Sequence, residues 1–152
     1  MKHLKIGDIA PGFSLPDQNG NTVNLKDFKG KKVILFFYPK ANTPGCTAEA
    51  CNLQDNYKLL EGKGFQILGA SADPVDKQKK FADKFGFTYP LLSDTEKTLL
   101  NDYGVWGLKK FMGREYDGIH RTTFIIDESG KIEKIIEKVK TKDHAQQILD
   151  LY

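Results

Sequence analysis

Two apolar runs with a helix-forming segment between them limit the fold of this chain more than any other feature of its sequence. Residues 31–38, KKVILFFY, form a strand that is apolar on both faces. Residues 65–72, FQILGASA, form a second strand that we expect to be buried. A strand that is apolar on both faces lies inside a sheet that helices cover on each side. Two such strands joined by a helix are parallel neighbours with a right-handed crossover. The pattern therefore predicts a β–α–β unit at the centre of an α/β fold.

Turn and cap signals divide the rest of the chain into hairpins and helices. An Asn-Gly turn at residues 19–20 predicts an N-terminal hairpin, and a Ser-Gly turn predicts a second hairpin over residues 122–136. The other predicted elements are helices over residues 43–61, after Asp73-Pro74, over residues 95–103 and from about Lys142, with a glycine-studded connection over residues 104–118. We expect one domain over residues 1–152, with a mixed central sheet flanked by helices on both faces.

Charge and hydropathy exclude several classes of protein. Lys and Arg number 23 and Asp and Glu 20, so the net charge is +3 with histidine neutral, which is too small to favour a nucleic acid or a membrane surface. The longest apolar run, residues 33–38, is far short of the ~20 residues that span a bilayer. The first eight residues lack the apolar core of roughly 7–15 residues that a secretory signal carries. We therefore expect a cytoplasmic protein with no nucleic-acid or membrane partner.

The two cysteines, Cys46 and Cys51, differ in their position on a predicted helix. In a reducing compartment, a close pair of this kind indicates a catalytic or metal-binding role before a structural one. If Thr43 is the N-cap and Pro44 the first helical residue, Cys46 lies in the first turn. Unpaired backbone N–H groups and the positive end of the helix dipole favour a thiolate there, and the effect has faded at Cys51. The three histidines show no metal-ligand spacing, so we expect no metal.

The five-residue spacing restricts how the two thiols can react with each other. Along a regular helix it separates the two Cα atoms by roughly 8–9 Å, whereas a disulfide needs Cα atoms within about 7 Å. A bond between Cys46 and Cys51 therefore requires the first turns of the helix to unwind. The spacing excludes the Cys-x-x-Cys geometry of thioredoxin-like reductases. It fits a scheme in which one cysteine is oxidised first and the other reacts with it afterwards.

The residues around the first cysteine resemble the active-site signature of a known family. The pattern Pro39-x-x-x-Thr43-x-x-Cys46 is similar to that of the peroxiredoxins, and the longer string over residues 38–51 resembles their Q-type subgroup, the bacterioferritin-comigratory proteins. The likeness covers most of the chain and includes the later strings GVWG and GIHRTTFIID. It implies a thioredoxin-like fold and thiol-dependent reduction of hydrogen peroxide and organic hydroperoxides. Because sulfur supplies the electrons, we expect no cofactor.

The same resemblance gives roles to five residues. It implies that Cys46 is the peroxidatic cysteine and that Cys51 is the resolving cysteine, which forms an intramolecular disulfide with it. Thr43 is similar to the hydroxyl that orients the peroxide, Pro39 to the proline that shields the sulfur from water, and Arg121 to the guanidinium near thiolate and substrate. Arginine suits that place because it is always charged and has several donors. The family also suggests a thioredoxin or glutaredoxin-like reductant and a monomer.

Two other functions remain open beside the peroxidase. One is a binding role, either as a peroxide sensor that passes its oxidation to a partner protein or as a holdase-type chaperone. The other is a general disulfide reductase, which the helical spacing of Cys46 and Cys51 argues against. Glu49 also matches the subgroup, but its negative charge would disfavour a nearby thiolate, and the sequence gives it no catalytic role.

Overall fold

Strands and helices alternate along most of the chain. The computed structural model describes residues 3–152. Within that range the strands are β1 Ser14–Pro16, β2 Thr22–Asn24, β3 Lys32–Phe37, β4 Phe65–Ser71, β5 Leu91–Ser93, β6 Trp106–Phe111, β7 Arg114–Ile119, β8 Thr122–Ile126 and β9 Ile132–Ile136. The α-helices are α1 Pro44–Asp55, α2 Tyr57–Gly62, α3 Val75–Phe85, α4 Thr98–Asp102 and α5 His144–Leu149, and short 3-10 helices cover Leu25–Phe28 and Thr141–Asp143. None of the helices in the described range is long and apolar enough to cross a membrane.

The central sheet has five strands in the order β5-β4-β3-β8-β9. Strands β3, β4 and β5 are parallel neighbours, and Ile34 of β3 lies beside Ile67 of β4. Strands β8 and β9 complete the sheet in antiparallel pairing, so the sheet is mixed, as predicted. The N-terminal hairpin is confirmed as well, because β1 and β2 pair with Ser14 opposite Asn24.

Strand β3 is buried on both faces, as its composition predicts. Phe36 points toward the core that α1, α3 and α5 cover, together with Ile34 and the following Tyr38. The alternate residues, Leu35 and Phe37, point toward a second core, which the N-terminal hairpin and α4 help to cover. Side chains of a strand alternate between the two faces, so a continuous apolar run supplies both cores. The carboxyl end of β3 is thereby held rigidly next to the start of α1.

The long helix predicted over residues 43–61 is wrong in one respect, because it is interrupted at Asn56. The backbone N–H of Asn56 donates to Gln54, while its side-chain amide donates to the carbonyl of Asn52 at 2.8 Å. An asparagine side chain can thus replace the helical hydrogen bond of its own backbone and release the chain from the helix. The segment therefore forms two helices, α1 and α2, and only α1 carries the cysteines.

The connection predicted over residues 104–118 is also wrong, because it folds into the hairpin β6–β7. Phe111 pairs with Arg114 across a two-residue turn in which Met112 and Gly113 both have positive φ, +50° and +79°. Such turns suit hairpins but strongly favour Asn, Asp or Gly at both positions, so Met112 hides the signal. The hairpin is largely exposed, and it therefore lacks the alternating apolar pattern from which the other strands were predicted.

The remaining predicted helices lie in the expected places, and α4 and α5 are shorter than predicted. The helix predicted over residues 95–103 is α4, and the helix predicted from about Lys142 begins as a 3-10 helix before it continues as α5. The helix predicted after Asp73-Pro74 is α3, which begins at Val75. Helix ends fray and shift by a residue or two without a change in packing.

We expect Gly69→Ala to destabilise the protein. A Cβ at Gly69 would lie 2.9 Å from Leu91 Cδ2 and 2.9 Å from Phe36 Cζ, both of which are buried between β4 and its neighbours. Overpacking of this kind costs about 1–3 kcal/mol, and urea unfolding would measure it. Gly62→Ala is the matched control, because open space surrounds Gly62 at the end of α2. Equal loss of stability in the two variants would contradict this account.

Candidate active site

Helix α1 places Cys46 in its first turn, as the sequence predicts. Thr43 is the N-cap with extended backbone, φ −96° and ψ 157°, and Pro44 is the first helical residue. The first helical hydrogen bond runs from the N–H of Thr47 to the carbonyl of Thr43, so the N–H groups before it have no partner within the helix. The side chain of Cys46 is buried, with 1% exposure. A negative charge on its sulfur would therefore lie close to the positive end of the helix dipole.

The hydroxyl of Thr43 does not cap the helix, although its backbone occupies the N-cap position. Thr43 Oγ1 donates to the carbonyl of Lys40 at 2.8 Å and makes no bond to the helix N–H groups. This bond closes the turn that includes Asn42, whose φ of +63° is one that asparagine adopts more readily than most residues. The hydroxyl hydrogen is thus committed to Lys40, and the oxygen keeps lone pairs that can accept a hydrogen bond.

A buried polar network anchors the loop before α1. The N–H of Ala41 donates to Asp73 Oδ2 at 2.8 Å, and the hydroxyl of Ser71 donates to the same oxygen at 2.7 Å. Gln78 of α3 donates to Ser71 Oγ at 2.9 Å and accepts the hydroxyl of Tyr38 at 2.5 Å. Because every member of this network is paired, the loop has one fixed path. Asp73 serves this loop rather than the start of α3.

Arg121 lies between β7 and β8 and reaches α1, where it contacts the predicted site. Its Nη2 donates to Cys46 Sγ at 3.4 Å, and its Nη1 donates to Glu49 Oε1 at 2.7 Å. The space for the guanidinium depends on Gly45, since a Cβ there would lie 3.1 Å from Nη2. One planar guanidinium therefore bridges a thiol and a carboxyl group that lie one turn apart on the same helix.

The electrostatics of this bridge are set by burial. Burial alone would lower the pKa of Arg121, but the charges of Cys46 and Glu49 raise it above its usual value. Burial raises the pKa of Glu49 to about 7, although the guanidinium of Arg121 acts in the opposite direction. A buried charge is tolerated only when it is paired. Arg121 is thus permanently charged, whereas Glu49 changes its charge near neutral pH.

Two residues of this cluster received no role from the sequence. Glu49 is three positions after Cys46, and that spacing places both on one face of a helix, so the pattern could have shown that they are neighbours. His144 of α5 is fully buried, with its Nε2 3.5 Å from Glu49 Oε2. Burial lowers the pKa of His144. No local pattern could have found His144, because it comes from the last helix of the chain.

Cys51 lies on the same unbroken helix as Cys46 but is half-buried, and both thiols are free. Burial and, next, the charge of Asp55 raise the pKa of Cys51. The helix α1 is continuous between the two cysteines, as the five-residue spacing requires. Cys51 is therefore a protonated thiol at neutral pH, and the intact helix keeps it away from Cys46.

Pro39 is half-buried at the carboxyl end of β3 and lines a cavity of about 450 Å³ beside the hairpin β6–β7. Trp106 and Lys109 of that hairpin line the same cavity. Pro39 and Lys40, which begin the loop that leads to Cys46, both line this cavity. The effect of Pro39 on access of water to the sulfur stays a prediction.

Comparison with known proteins identifies the relatives of this chain. Residues 6–135 match the AhpC/TSA family. Peroxiredoxin Bcp of Escherichia coli (strain K12) is 51% identical over 150 residues, which cover 99% of this chain and 96% of that protein. The crystal structure of peroxidoxin BcpB from Mycobacterium tuberculosis superposes with a TM-score of 0.86 at 40% identity, covering 97% of this chain and 96% of that one.

A second structural match concerns the bacterioferritin comigratory protein of Xanthomonas campestris, whose structures were described as giving insight into its alkyl peroxide reduction activity. Its TM-score is 0.86 at 32% identity, and the match covers 91% of this chain and 88% of that one. The mixed sheet and its helices thus have the thioredoxin-like arrangement that the sequence motif implied.

The raised pKa of Glu49 predicts a pH-dependent stability. Between about 4.5 and 7 the folded protein binds a proton at Glu49 that the unfolded chain releases, so the free energy of unfolding falls as pH rises through this window. Glu49→Gln removes this dependence. We expect the stability of the variant, relative to the unsubstituted protein, to increase from pH 4.5 to 7 and to stay level above it, as measured by urea unfolding.

The exposed Glu96→Gln is the matched control for this measurement, and we expect it to change the stability little at every pH. A difference between Glu49→Gln and the unsubstituted protein that does not vary between pH 4.5 and 7 would show that Glu49 ionises as readily in the folded state as in the unfolded chain.

Proposed function

The chain belongs to the AhpC/TSA family and is a peroxiredoxin, a thiol-dependent peroxidase, and we propose that Cys46 is the cysteine that reacts with the peroxide. The observation that carries the proposal is the place of Cys46 Sγ in the first turn of α1, 3.4 Å from Nη2 of Arg121. Helix dipole and guanidinium both favour a thiolate, which is the nucleophilic form. Cys51 has neither of these neighbours.

In the first step, the thiolate of Cys46 attacks one oxygen of the peroxide ROOH. A sulfur–oxygen bond forms, the oxygen–oxygen bond breaks, and the products are Cys46–SOH and the anion RO⁻, which takes up a proton to become ROH. Negative charge moves from the sulfur to the departing oxygen. Nη1 of Arg121 is held by Glu49, so the guanidinium is fixed in place, and its Nη2 beside Cys46 can stabilise the charge as it moves from the sulfur to the departing oxygen.

Thr43 and Pro39 complete the proposed site. The hydroxyl of Thr43 donates to Lys40, so its oxygen is available to accept the O–H of the peroxide and orient it toward Cys46. Pro39 has no backbone N–H and is half-buried directly after β3. It limits the access of water to the sulfur and adds no hydrogen-bond donor that would compete for the peroxide. The role of Thr43 follows from the lone pairs of its hydroxyl, and that of Pro39 from its burial and its missing N–H.

In the second step, Cys51 attacks the sulfenic acid at Cys46. A disulfide forms, and the oxygen leaves as water with the proton of the Cys51 thiol. The two cysteines lie five residues apart on α1, and this bond requires at least the first turns of that helix to unwind. Asn56 already interrupts the helix at its carboxyl end, so unwinding can remain within α1.

Enzymes of this family act on peroxides with thiol reductants such as thioredoxin. For this chain we propose hydrogen peroxide and alkyl hydroperoxides as substrates, the latter supported by the alkyl peroxide reduction of the Xanthomonas campestris relative. A thioredoxin or glutaredoxin-like dithiol would reduce the Cys46–Cys51 disulfide and complete the cycle. A single domain, a cytoplasmic location and a monomeric working form stay predictions.

The two cysteines should differ in their effect on turnover. With a thioredoxin system and hydrogen peroxide, we expect Cys46→Ser to reduce consumption of peroxide to the rate without enzyme, because a serine hydroxyl is not ionised at neutral pH. Cys51→Ser should consume about one equivalent of peroxide and then stop, unless another thiol is added. Stopped-flow measurement of peroxide and mass spectrometry of the product would follow both outcomes.

Each variant is the control for the other, since both replace one sulfur by oxygen in the same helix. Sustained turnover by Cys46→Ser would contradict the proposed nucleophile. Normal turnover by Cys51→Ser with thioredoxin alone would leave Cys46 as the nucleophile but would contradict the intramolecular disulfide.

The disulfide form should lose protection of its backbone amides in α1 and at one distant residue. Asn52 of α1 accepts the N–H of Ala145 at 2.8 Å and donates to the carbonyl of Lys142 at 3.1 Å. Unwinding of α1 therefore removes the partner of Ala145 as well. We expect hydrogen exchange of residues 47–55 and of Ala145 to accelerate after oxidation, while that of β3 does not change. Equal protection in the dithiol and disulfide forms would contradict the unwinding.

A further inference from the structure

A fully buried pair, Glu49 and His144, lies behind Arg121 on the side away from Cys46. Glu49 Oε1 is held by Arg121 at 2.7 Å, while Oε2 faces His144 Nε2 at 3.5 Å. Both side chains have 0% exposure. Burial of two ionisable groups costs free energy. The catalytic steps described above use neither Oε2 nor His144.

The hydrogen bonds of Gln147 fix which nitrogen of His144 carries a proton. Gln147 Nε2 donates to the carbonyl of Lys138 at 2.8 Å, and Oε1 accepts the N–H of Lys140 at 2.9 Å. A carbonyl can only accept and a backbone N–H can only donate, so the amide cannot be reversed. The same Oε1 lies 2.9 Å from His144 Nδ1. Nδ1 must therefore donate, and in a neutral imidazole Nε2 is then an acceptor.

The other side of the ring is occupied by two oxygen atoms. Thr123 Oγ1 of β8 lies 2.8 Å from Nε2, and because Nε2 has a single lone pair, the hydroxyl of Thr123 and a proton on Glu49 would have to share it as donors. Glu49 Oε2 lies 3.5 Å from the same nitrogen and has no hydrogen-bond donor among residues 3–152. An ionised Oε2 would thus face the lone pair of Nε2 in a fully buried site. That arrangement is strongly unfavourable unless one of the two facing atoms, Oε2 or Nε2, carries a proton.

We infer that Glu49 Oε2 carries a proton and directs it to Nε2 of His144. His144 is then a positioning residue, because it keeps Glu49 neutral and so leaves the positive charge of Arg121 to Cys46. The inference deepens the proposed function and rests on it. With Glu49 neutral, the cluster of Cys46, Arg121 and Glu49 contains one thiolate and one guanidinium. With Glu49 ionised, two anions compete for the same cation, and less of its charge is available to the thiolate and the peroxide.

The pKa directions agree with this placement of the proton. Burial raises the pKa of Glu49 to about 7 and lowers the pKa of His144, so both favour a neutral carboxyl beside a neutral ring. The other titratable groups that face the pair are Arg121 from the loop before β8, Cys46 from α1 and Tyr89 from the loop before β5. The side chains of Lys142 and Asp143, which directly precede His144 in the chain, are exposed.

The first test is the side-chain NMR of the intact dithiol protein. In a long-range ¹H–¹⁵N spectrum at pH 6.5, we expect His144 to be protonated at Nδ1 and unprotonated at Nε2. The ¹³C signal of the Glu49 carboxyl, assigned with Glu49→Gln, should titrate near neutral pH. A His144 ring protonated on both nitrogens, or a Glu49 carboxyl already ionised at pH 5, would overturn the inference.

The second test is the pH profile of the reaction between Cys46 and hydrogen peroxide, measured before turnover. Dividing each rate by that of Glu49→Gln cancels the effects of pH that both proteins share. We expect this ratio to fall above about pH 7 in the unsubstituted protein. In His144→Asn, which keeps a donor toward Gln147 but removes the acceptor toward Glu49, the fall should begin about one pH unit lower, giving a rate three- to tenfold lower at pH 7.

Two further variants separate this role from a merely structural one. His144→Gln places an amide oxygen near the position of Nε2 and should restore part of the profile. His144→Asn in the Glu49→Gln background should have no pH-dependent effect, because no proton remains to be held. The exposed His3→Asn is the matched control and should leave the profile unchanged.

An unchanged profile in His144→Asn, or the same shift in the Glu49→Gln background, would overturn the inference. Failure of the proposed function would be seen differently. Sustained peroxide turnover in Cys46→Ser would remove the nucleophile but leave the NMR result on the proton of Glu49 intact.

Discussion

The bridge from Arg121 to Cys46 and Glu49 is the interaction on which the rest of the site depends. A guanidinium half-buried between a sheet and a helix loses much of its hydration, and its hydrogen bonds to Cys46 and Glu49 compensate for that loss. The bridge works only because α1 lies directly against the turn that precedes β8 and because Gly45 leaves room for Nη2. The chemistry of the thiol therefore depends on how helix and sheet pack, and a change in that packing would alter the contact between Arg121 and Cys46 Sγ.

The proposed cycle makes two opposed demands on the same helix. An intact first turn favours the thiolate, whereas the proposed disulfide between Cys46 and Cys51 requires that turn to open. The structure would confine this change to a short element. The loop before α1 is held by Asp73, and Asn56 separates α1 from α2, where Leu60 is buried in the core. Helix α5 contacts α1 through Asn52 and through the pair Glu49 and His144. Unwinding of α1 would therefore also remove contacts of α5.

The sequence predicted those parts of the fold whose signals are local and tied to burial. The two-sided apolar run gave β3 its central place, and the Asn-Gly turn located the N-terminal hairpin. The hairpin β6–β7 was missed because it is exposed and turns at Met112, a residue that rarely adopts positive φ. The break in the first helix was missed because Asn56 ends it through a hydrogen bond of its side chain, which the residue type alone does not reveal.

For the site, the sequence by itself determined that Cys46 lies in the first turn of a helix and that Cys51 cannot reach it while that helix is intact. Both follow from helix geometry over a few residues, which needs no tertiary contact. The resemblance implied that Arg121 lies near the sulfur, and the tertiary structure supplied its contact with Cys46 Sγ. The tertiary structure alone decided that Glu49 binds the same guanidinium and that His144 faces the remaining oxygen of Glu49. These three residues come from separate segments, and only the packing of α1 and α5 on the sheet brings their charges together.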